Sequence, residues 1–196
     1  MTIRRRNGHI LPVAIKKKYT YDWPRPMVTA DTIVFGLFGS GAPVRVLLIQ
    51  RARDPFKGKW AFPGGFMEMD EELEDAAARE LAEETGLAGL VLEQMHTFGT
   101  CGRDPRGRMI TVTFMSVVHV KSGRIFAIDL NSSERPIPSA RLRAGDDASC
   151  AEWFDIERLP AAEMAFDHLE VARLAIRRLK KKAAWRRHVT TVRRHE

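Results

Sequence analysis

Three glutamates, Glu80, Glu83 and Glu84, fall within five residues of one another inside GGFMEMDEELEDAAARELAEETGL, residues 64–87. On a helix they would share an arc of about 100°. Glu80 and Glu84 also continue the stripe that Leu73, Ala76 and Ala77 mark as the packing face. Like charges at these spacings repel by roughly 0.2–0.5 kcal/mol per pair even in water. Partial burial raises that cost unless a cation sits among them. Oxygen-only donors in this number suit a hard divalent ion, Mg²⁺ or Mn²⁺. The competing reading is a solvated acidic face, and carboxylates set on a packing stripe between two glycine breaks weigh against it.

The surrounding charge sharpens the point. From Glu68 to Glu84 there are nine carboxylates and one cation, Arg79, in a chain whose net charge is +7. Gly64–Gly65 after Pro63 demand a sharp turn before the helix, and Gly86 stands where a left-handed terminating residue is wanted. A helix over about 70–85 is predicted, with Asp70, Glu71 and Glu72 in its first turn, where the helix dipole favours carboxylates.

The elements that must hold this segment are legible as apolar, β-branched runs at 28–38, 44–50, 90–98, 109–120 and 151–156, separated by glycine- or proline-bearing turns. Thr111, Thr113 and His119 alternate only loosely with apolar neighbours, which predicts a strand buried on both faces. A second helix is predicted over about 167–188, where Leu169, Ala172, Leu174, Ile176 and Leu179 form an approximate stripe. Strands on both sides of one helix, with another helix at the end, read as α+β or α/β layers around a single sheet.

A chain of 196 residues, 44% hydrophobic and 29% charged, suits one globular domain at 26–180. A basic segment at 1–25, read as a strand or a dimer arm, precedes it, and a basic tail follows at 181–196. The stretch 121–149 is a long, polar, insertion-like connection. No run is long enough for a membrane span, and the N-terminus lacks the features of a secretory signal. Cys101 and Cys150 lie in no metal or redox spacing and read as reduced thiols, so a cytoplasmic location is expected.

The spacing around the glutamates resembles a family signature. Gly65, five residues, Glu71, seven residues, then RELAEETGL from Arg79 to Leu87 is similar to the complete Nudix box, residues 65–87. That resemblance implies an α/β/α sandwich with a mixed β-sheet, hydrolysing a nucleoside diphosphate linked to another moiety. It implies Glu80, Glu83 and Glu84 as metal ligands, with Gly65 adding a backbone carbonyl. Arg79 would orient the glutamates, and Glu71 would brace the loop–helix–loop. The elementary chemistry agrees, since a diphosphate repels an attacking hydroxide until cations neutralise it.

The flanks LLIQRARDPFKGKWAFPGGF, GTCGRDPRGRMITVTFMSVV and AGDDASCAEWFDIERLP…AFDH resemble a group of ADP-ribose pyrophosphatases. That likeness implies hydrolysis of ADP-ribose to AMP and ribose 5-phosphate, in a group where homodimers are frequent. Arg51, Arg103, Arg106 and Arg108 are candidate phosphate or ribose contacts, although an arginine-rich turn is also what a solvated hairpin tip looks like. Tyr21, Trp23 and Phe56 are candidates to stack on adenine, against packing as the default for such residues. Relatives take a general base from a loop before the last core strand; here Asp146 and Asp147 are favoured, with Glu152 behind them. For His168 the default is capping of the last helix together with Asp167.

Three other functions compete. One is a different Nudix substrate: a dinucleoside polyphosphate, a nucleotide sugar or an oxidised nucleoside triphosphate. Another is a regulator that senses ADP-ribose without cleaving it; such relatives add a winged-helix domain, for which the sixteen or so residues after Lys180 are too few. The last is nucleic-acid binding through Lys180–Lys182, Arg186, Arg187, Arg193 and Arg194, for which a solvated helix end is the better explanation.

Overall fold

The computed structural model describes residues 5–6, 9–10, 20–39, 41–121, 124–127, 135–136 and 148–192. Outside a two-residue ladder, β1 (Arg5–Arg6) with β2 (His9–Ile10), the described strands form one mixed sheet. Its centre is β3 (Met27–Leu37), which runs parallel to β8 (Met109–Lys121) in unbroken register from Met27↔Met109 to Leu37↔His119. The other pairings are antiparallel. β7 (Glu93–Phe98) and β9 (Arg124–Ala127) flank β8, β10 (Arg135–Pro136) follows β9, and β11 (Ala148–Asp155) closes the far edge on β4 (Arg45–Arg51).

The sheet forks beside the acidic segment. β3 pairs with β4 only at Phe35↔Val46 and Gly36↔Arg45. Beyond that point β4 takes β5 (Trp60–Ala61) as neighbour, while β3 takes β6 (Gly64–Phe66) at Thr29, Ala30 and Asp31. The two long strands thus part around the loop that leads into the first helix.

Two helices cover the two faces. α1 (Leu73–Thr85) lays Ala76, Ala77 and Leu81 against Ala30, Val34, Leu47 and Val112. α2 (His168–Val192) lays Val171, Ala172 and Ala175 against Ile33, Phe35, Val46 and Leu48. Alternate residues of β3 therefore feed opposite cores, as strand geometry requires. This is the α/β/α sandwich with a mixed sheet that the sequence implied. The expected double burial of β8 is present, with Thr111, Thr113 and Ser116 all buried. Leu169, Leu174, Ile176 and Leu179 pack on the α2 side as the stripe predicted.

Three boundaries differ from expectation, the starts of α1, of β7 and of β11, which begins at Ala148 rather than at 151. α1 begins at Leu73, with Glu74 and Asp75 in its first turn; Asp70 and Glu71 precede it. The reason is that the Glu71 carboxylate accepts the Glu68 N–H at 2.7 Å and is held by Arg79, which fixes a turn before the helix. The run at 90–98 is extended only from Glu93. The connection 121–149 carries a short hairpin, β9 with β10, and most of the rest of it lies outside the described residues. No helix among the described residues is long and apolar enough to cross a membrane. Cys101 and Cys150 are free thiols.

Candidate functional site

A cavity of about 320 Å³ opens at the fork between β3 and β4. Glu80, Glu84 and Gly65 line it together with Arg51, Arg103, Arg106, Asp31, Phe166 and His168. Residues far apart in the chain meet here because the parting of β3 and β4 leaves room between the two helix layers.

The α1 wall is organised by Arg79. Its guanidinium donates to both Glu71 oxygens, at 3.1 and 2.7 Å, to Glu80 Oε1 at 2.7 Å and to the Phe66 carbonyl at 3.1 Å. Glu83 Oε2 stands 3.4 Å from the same guanidinium, on a side chain 62% exposed. Hydrogen bonding to Arg79 holds the Glu71 carboxyl below the usual range, and bonding to Glu71 raises the arginine in turn. At Glu80 the balance reverses: desolvation outweighs the attraction of Arg79 and lifts the carboxyl above its ordinary value. Glu84 is buried and accepts the Gly64 N–H at 2.9 Å.

The glycines follow from crowding. A Cβ on Gly65 would lie 2.4 Å from the Glu80 carboxyl, and one on Gly64 would lie 2.4 Å from Asp31 Oδ1. At Gly64 backbone atoms of Ala30 and Asp31 also stand in the way, whereas at Gly65 a side chain would have to displace the Glu80 carboxyl. At the other end of α1, Gly86 takes the left-handed conformation at φ 75° and returns its N–H to the Ala82 carbonyl, ending the helix.

The donor set fits a hard divalent cation in kind: carboxylates only, two of them facing the cavity, with Glu80 desolvated and incompletely compensated. In position, Glu80 and Glu83 turn to Arg79 and Glu84 to a backbone N–H. No group of three or more carboxylate, histidine or cysteine side chains among the described residues is gathered for a metal.

The α2 wall is buried and paired. Arg103, its side chain 5% exposed, makes two bonds to Asp167 at 2.8 and 2.7 Å and a third to Thr111 Oγ1, itself 2.8 Å from Thr29 Oγ1. Asp104 accepts the Arg106 backbone N–H at 2.8 Å and its guanidinium at 2.7 Å. Arg51 is tied to the Pro55 carbonyl at 2.8 Å, and burial together with nearby Arg106 lowers its proton affinity. Arg108 instead donates to the Gly99 carbonyl and does not line the cavity.

His168 does not cap α2. Its Nδ1 accepts the Phe62 N–H at 3.0 Å, so the proton of the neutral ring sits on Nε2, 3.5 Å from Asp31 Oδ2. Burial pushes His168 down to about 4 and Asp31 up to about 7. The expected partner, Asp167, spends its carboxylate on Arg103. Asp31, Thr29, Asp104 and Phe166 were not singled out by spacing. Asp31 alone had a signal, an acid inside a run of buried strand residues.

Of the other candidates, Asp146 and Asp147 lie outside the described residues. Glu152 is exposed on β11, where it pairs with the Cys150 thiol at 3.2 Å. Trp23 is 81% exposed, and Tyr21 carries Arg25 over its ring at 4.1 Å. Phe56 packs on Phe166 at the cavity.

The NUDIX domain profile matches residues 27–175. The chain is 39% identical over 127 residues to an ADP-ribose pyrophosphatase of Methanocaldococcus jannaschii, covering 65% of this chain and 63% of that protein. It is 32% identical over 166 residues to the ADPR responsive transcriptional repressor NtrR of Acinetobacter baylyi, covering 84% and 58%. The match thus spans less than two thirds of either relative's length. Among solved structures, the NUDIX domain of Shewanella oneidensis NrtR complexed with ADP ribose superposes at a TM-score of 0.60 with 30% identity, covering 80% of this chain and 90% of that one. A MutT/nudix family protein from Enterococcus faecalis does so at 0.65 with 29% identity, covering 84% and 66%. With the profile spanning most of its length and the box glutamates facing the fork of its mixed sheet, this chain belongs to the Nudix family.

Proposed function

We propose that the protein is a metal-dependent pyrophosphohydrolase that cleaves ADP-ribose with water to AMP and ribose 5-phosphate. The observation that carries this reading is one cavity lined by both the box carboxylates Glu80 and Glu84 and the cations Arg51 and Arg106. The likeness to an ADP-ribose pyrophosphatase supports the substrate.

Glu80, Glu83, Glu84 and the Gly65 carbonyl would hold Mg²⁺ or Mn²⁺, which supplies charge neutralisation and a more acidic water. Arg79 keeps Glu80 oriented toward Gly65. Burial and the nearby Arg106 disfavour the charge on Arg51, and a bound diphosphate would relieve that cost while being fixed for in-line attack. One P–O bond of the diphosphate breaks, the water oxygen joins phosphorus, and its proton passes to a base for which Asp146 and Asp147 remain the candidates.

AMP release measured with Mg²⁺ from ADP-ribose, dinucleoside polyphosphates and nucleotide sugars tests this. ADP-ribose is expected to give the highest kcat/KM. Equal turnover of all three classes removes the substrate assignment and leaves the family. The similarity to an ADP-ribose-responsive repressor favours one alternative, binding without cleavage. Tight binding of ADP-ribose with no AMP released would establish it.

A further inference from the structure

Arg51 comes from the end of β4 and Arg106 from the turn before β8, yet both guanidinium groups lie over one ring. That ring is Phe166, with its centroid 5.0 Å from Arg51 and 5.4 Å from Arg106. All three residues line the cavity. Burial, and after it the charge of Arg106, lowers the proton affinity of Arg51, so the two cations stand close enough to repel. An aromatic face within about 6 Å attracts a guanidinium. The shared ring therefore offsets a repulsion that would otherwise spread the two groups apart.

Each arginine is tethered along one side. Arg51 Nε donates to the Pro55 carbonyl at 2.8 Å, and Arg106 Nε and Nη2 donate to the Asp104 carboxylate at 3.0 and 2.7 Å. Among the described residues, Nη1 of neither arginine meets an acceptor.

The ring is held in place against backbone strain. Phe166 has φ 50°, a left-handed conformation that bulky side chains rarely adopt and glycine adopts freely. Phe56 meets the ring edge-on with centroids 4.7 Å apart, and the His168 ring, bonded to the Phe62 N–H, lies tilted at 5.5 Å. The apolar cluster against which Phe166 packs is small, Ile49, Ala61, Ala148 and Ala165. Covering it calls for an apolar side chain, not for an aromatic one. Strain of this kind persists where the surroundings enforce it, often at ligand clamps.

We propose that Phe166 is a positioning residue, which spaces Arg51 and Arg106 so that their Nη1 donors hold the two phosphoryl groups of one diphosphate together. It acts through the guanidinium groups that cover it. An aliphatic side chain offers no face to hold them; without the ring they separate, and the second phosphoryl group loses its cation. The assignment rests on the diphosphate reading above but not on hydrolysis.

ADP and AMP share base, sugar and one phosphate and differ by the second phosphoryl group. Their affinities are measured by calorimetry with Mg²⁺ for the wild type, Phe166→Leu, Phe166→Gly and Phe166→Tyr. The wild type is expected to prefer ADP by about tenfold or more. Phe166→Leu and Phe166→Gly should narrow that gap to about twofold while holding AMP nearly as before, and Phe166→Tyr, which keeps the ring, should retain it. Leucine preserves the apolar contact and glycine relieves the backbone, so the ring is removed in two independent ways. General loosening of the site would weaken both nucleotides alike. A wild type without preference for ADP, ringless variants that keep it, or a tyrosine variant that loses it overturns the assignment. Failure to cleave ADP-ribose with this pattern intact counts against the hydrolase reading alone.

Discussion

The two walls of the cavity solve the problem of charge differently. On the α1 wall one arginine, 27% exposed, serves three glutamates, and Glu83 stays largely in solvent. On the α2 wall Arg103–Asp167 is buried and bidentate, and His168 is neutral beside Asp31. The first arrangement leaves negative charge over, which an added cation can use. The second leaves little, and behaves as framework. An exposed charge cluster is cheap to disturb in stability and costly in function; a buried pair is the reverse.

The largest expected effect is on the framework. Arg103→Ala strands the Asp167 carboxylate in the wall and should destabilise the fold by about 3–5 kcal/mol, read by urea denaturation. A loss under 1 kcal/mol would mean the α2 wall is no more structural than the other.

Next is Glu83→Gln, expected to lower turnover of ADP-ribose by about a hundredfold or more with the denaturation midpoint nearly unchanged. Full activity in that variant would take Glu83 out of the metal set.

The smallest effect is the pH dependence of the buried pair. Asp31, raised to about 7, binds a proton more readily in the folded protein, so its share of stability is present at low pH and fades between about 4 and 7. His168, lowered to about 4, must charge on unfolding below about 6.5, so its share grows over nearly the same window. The slopes oppose, and the wild type should be nearly flat from pH 4.5 to 6.5. Asp31→Asn should expose a rise with pH, and His168→Gln a fall, each at most about 1.4 kcal/mol per pH unit. Matching profiles in the two variants would separate the pair.

The same contrast explains what the sequence made legible. The α1 wall is local: Gly65, Glu71, Arg79, Glu80, Glu83 and Glu84 lie within one turn and helix, so spacing and periodicity expose their geometry. The α2 wall joins Asp31, Arg103, Asp167 and His168 across separations such as 64 residues for Arg103 with Asp167, which no local pattern encodes. The place of His168 at a helix start suggests capping, whereas its ring accepts a hydrogen bond from Phe62 across the molecule. The strands β3 and β8 are readable because both are long, mostly apolar, β-branched runs buried on both faces. The starts of α1 and β7 are not, since Glu71 and its contact to Arg79 decide the first, and polar residues at 93, 94 and 96 blur the second.

Gly64 and Gly65 give the sheet, at that point, no thickness beyond the peptide itself. Asp31 from the strand and Glu80 from α1 reach the same cavity on either side of that backbone, and the glutamate's charge adds a little to what burial does in raising the aspartate's hold on its proton. Side chains keep the two helix layers apart elsewhere; here only backbone stands between a box glutamate and a buried acid.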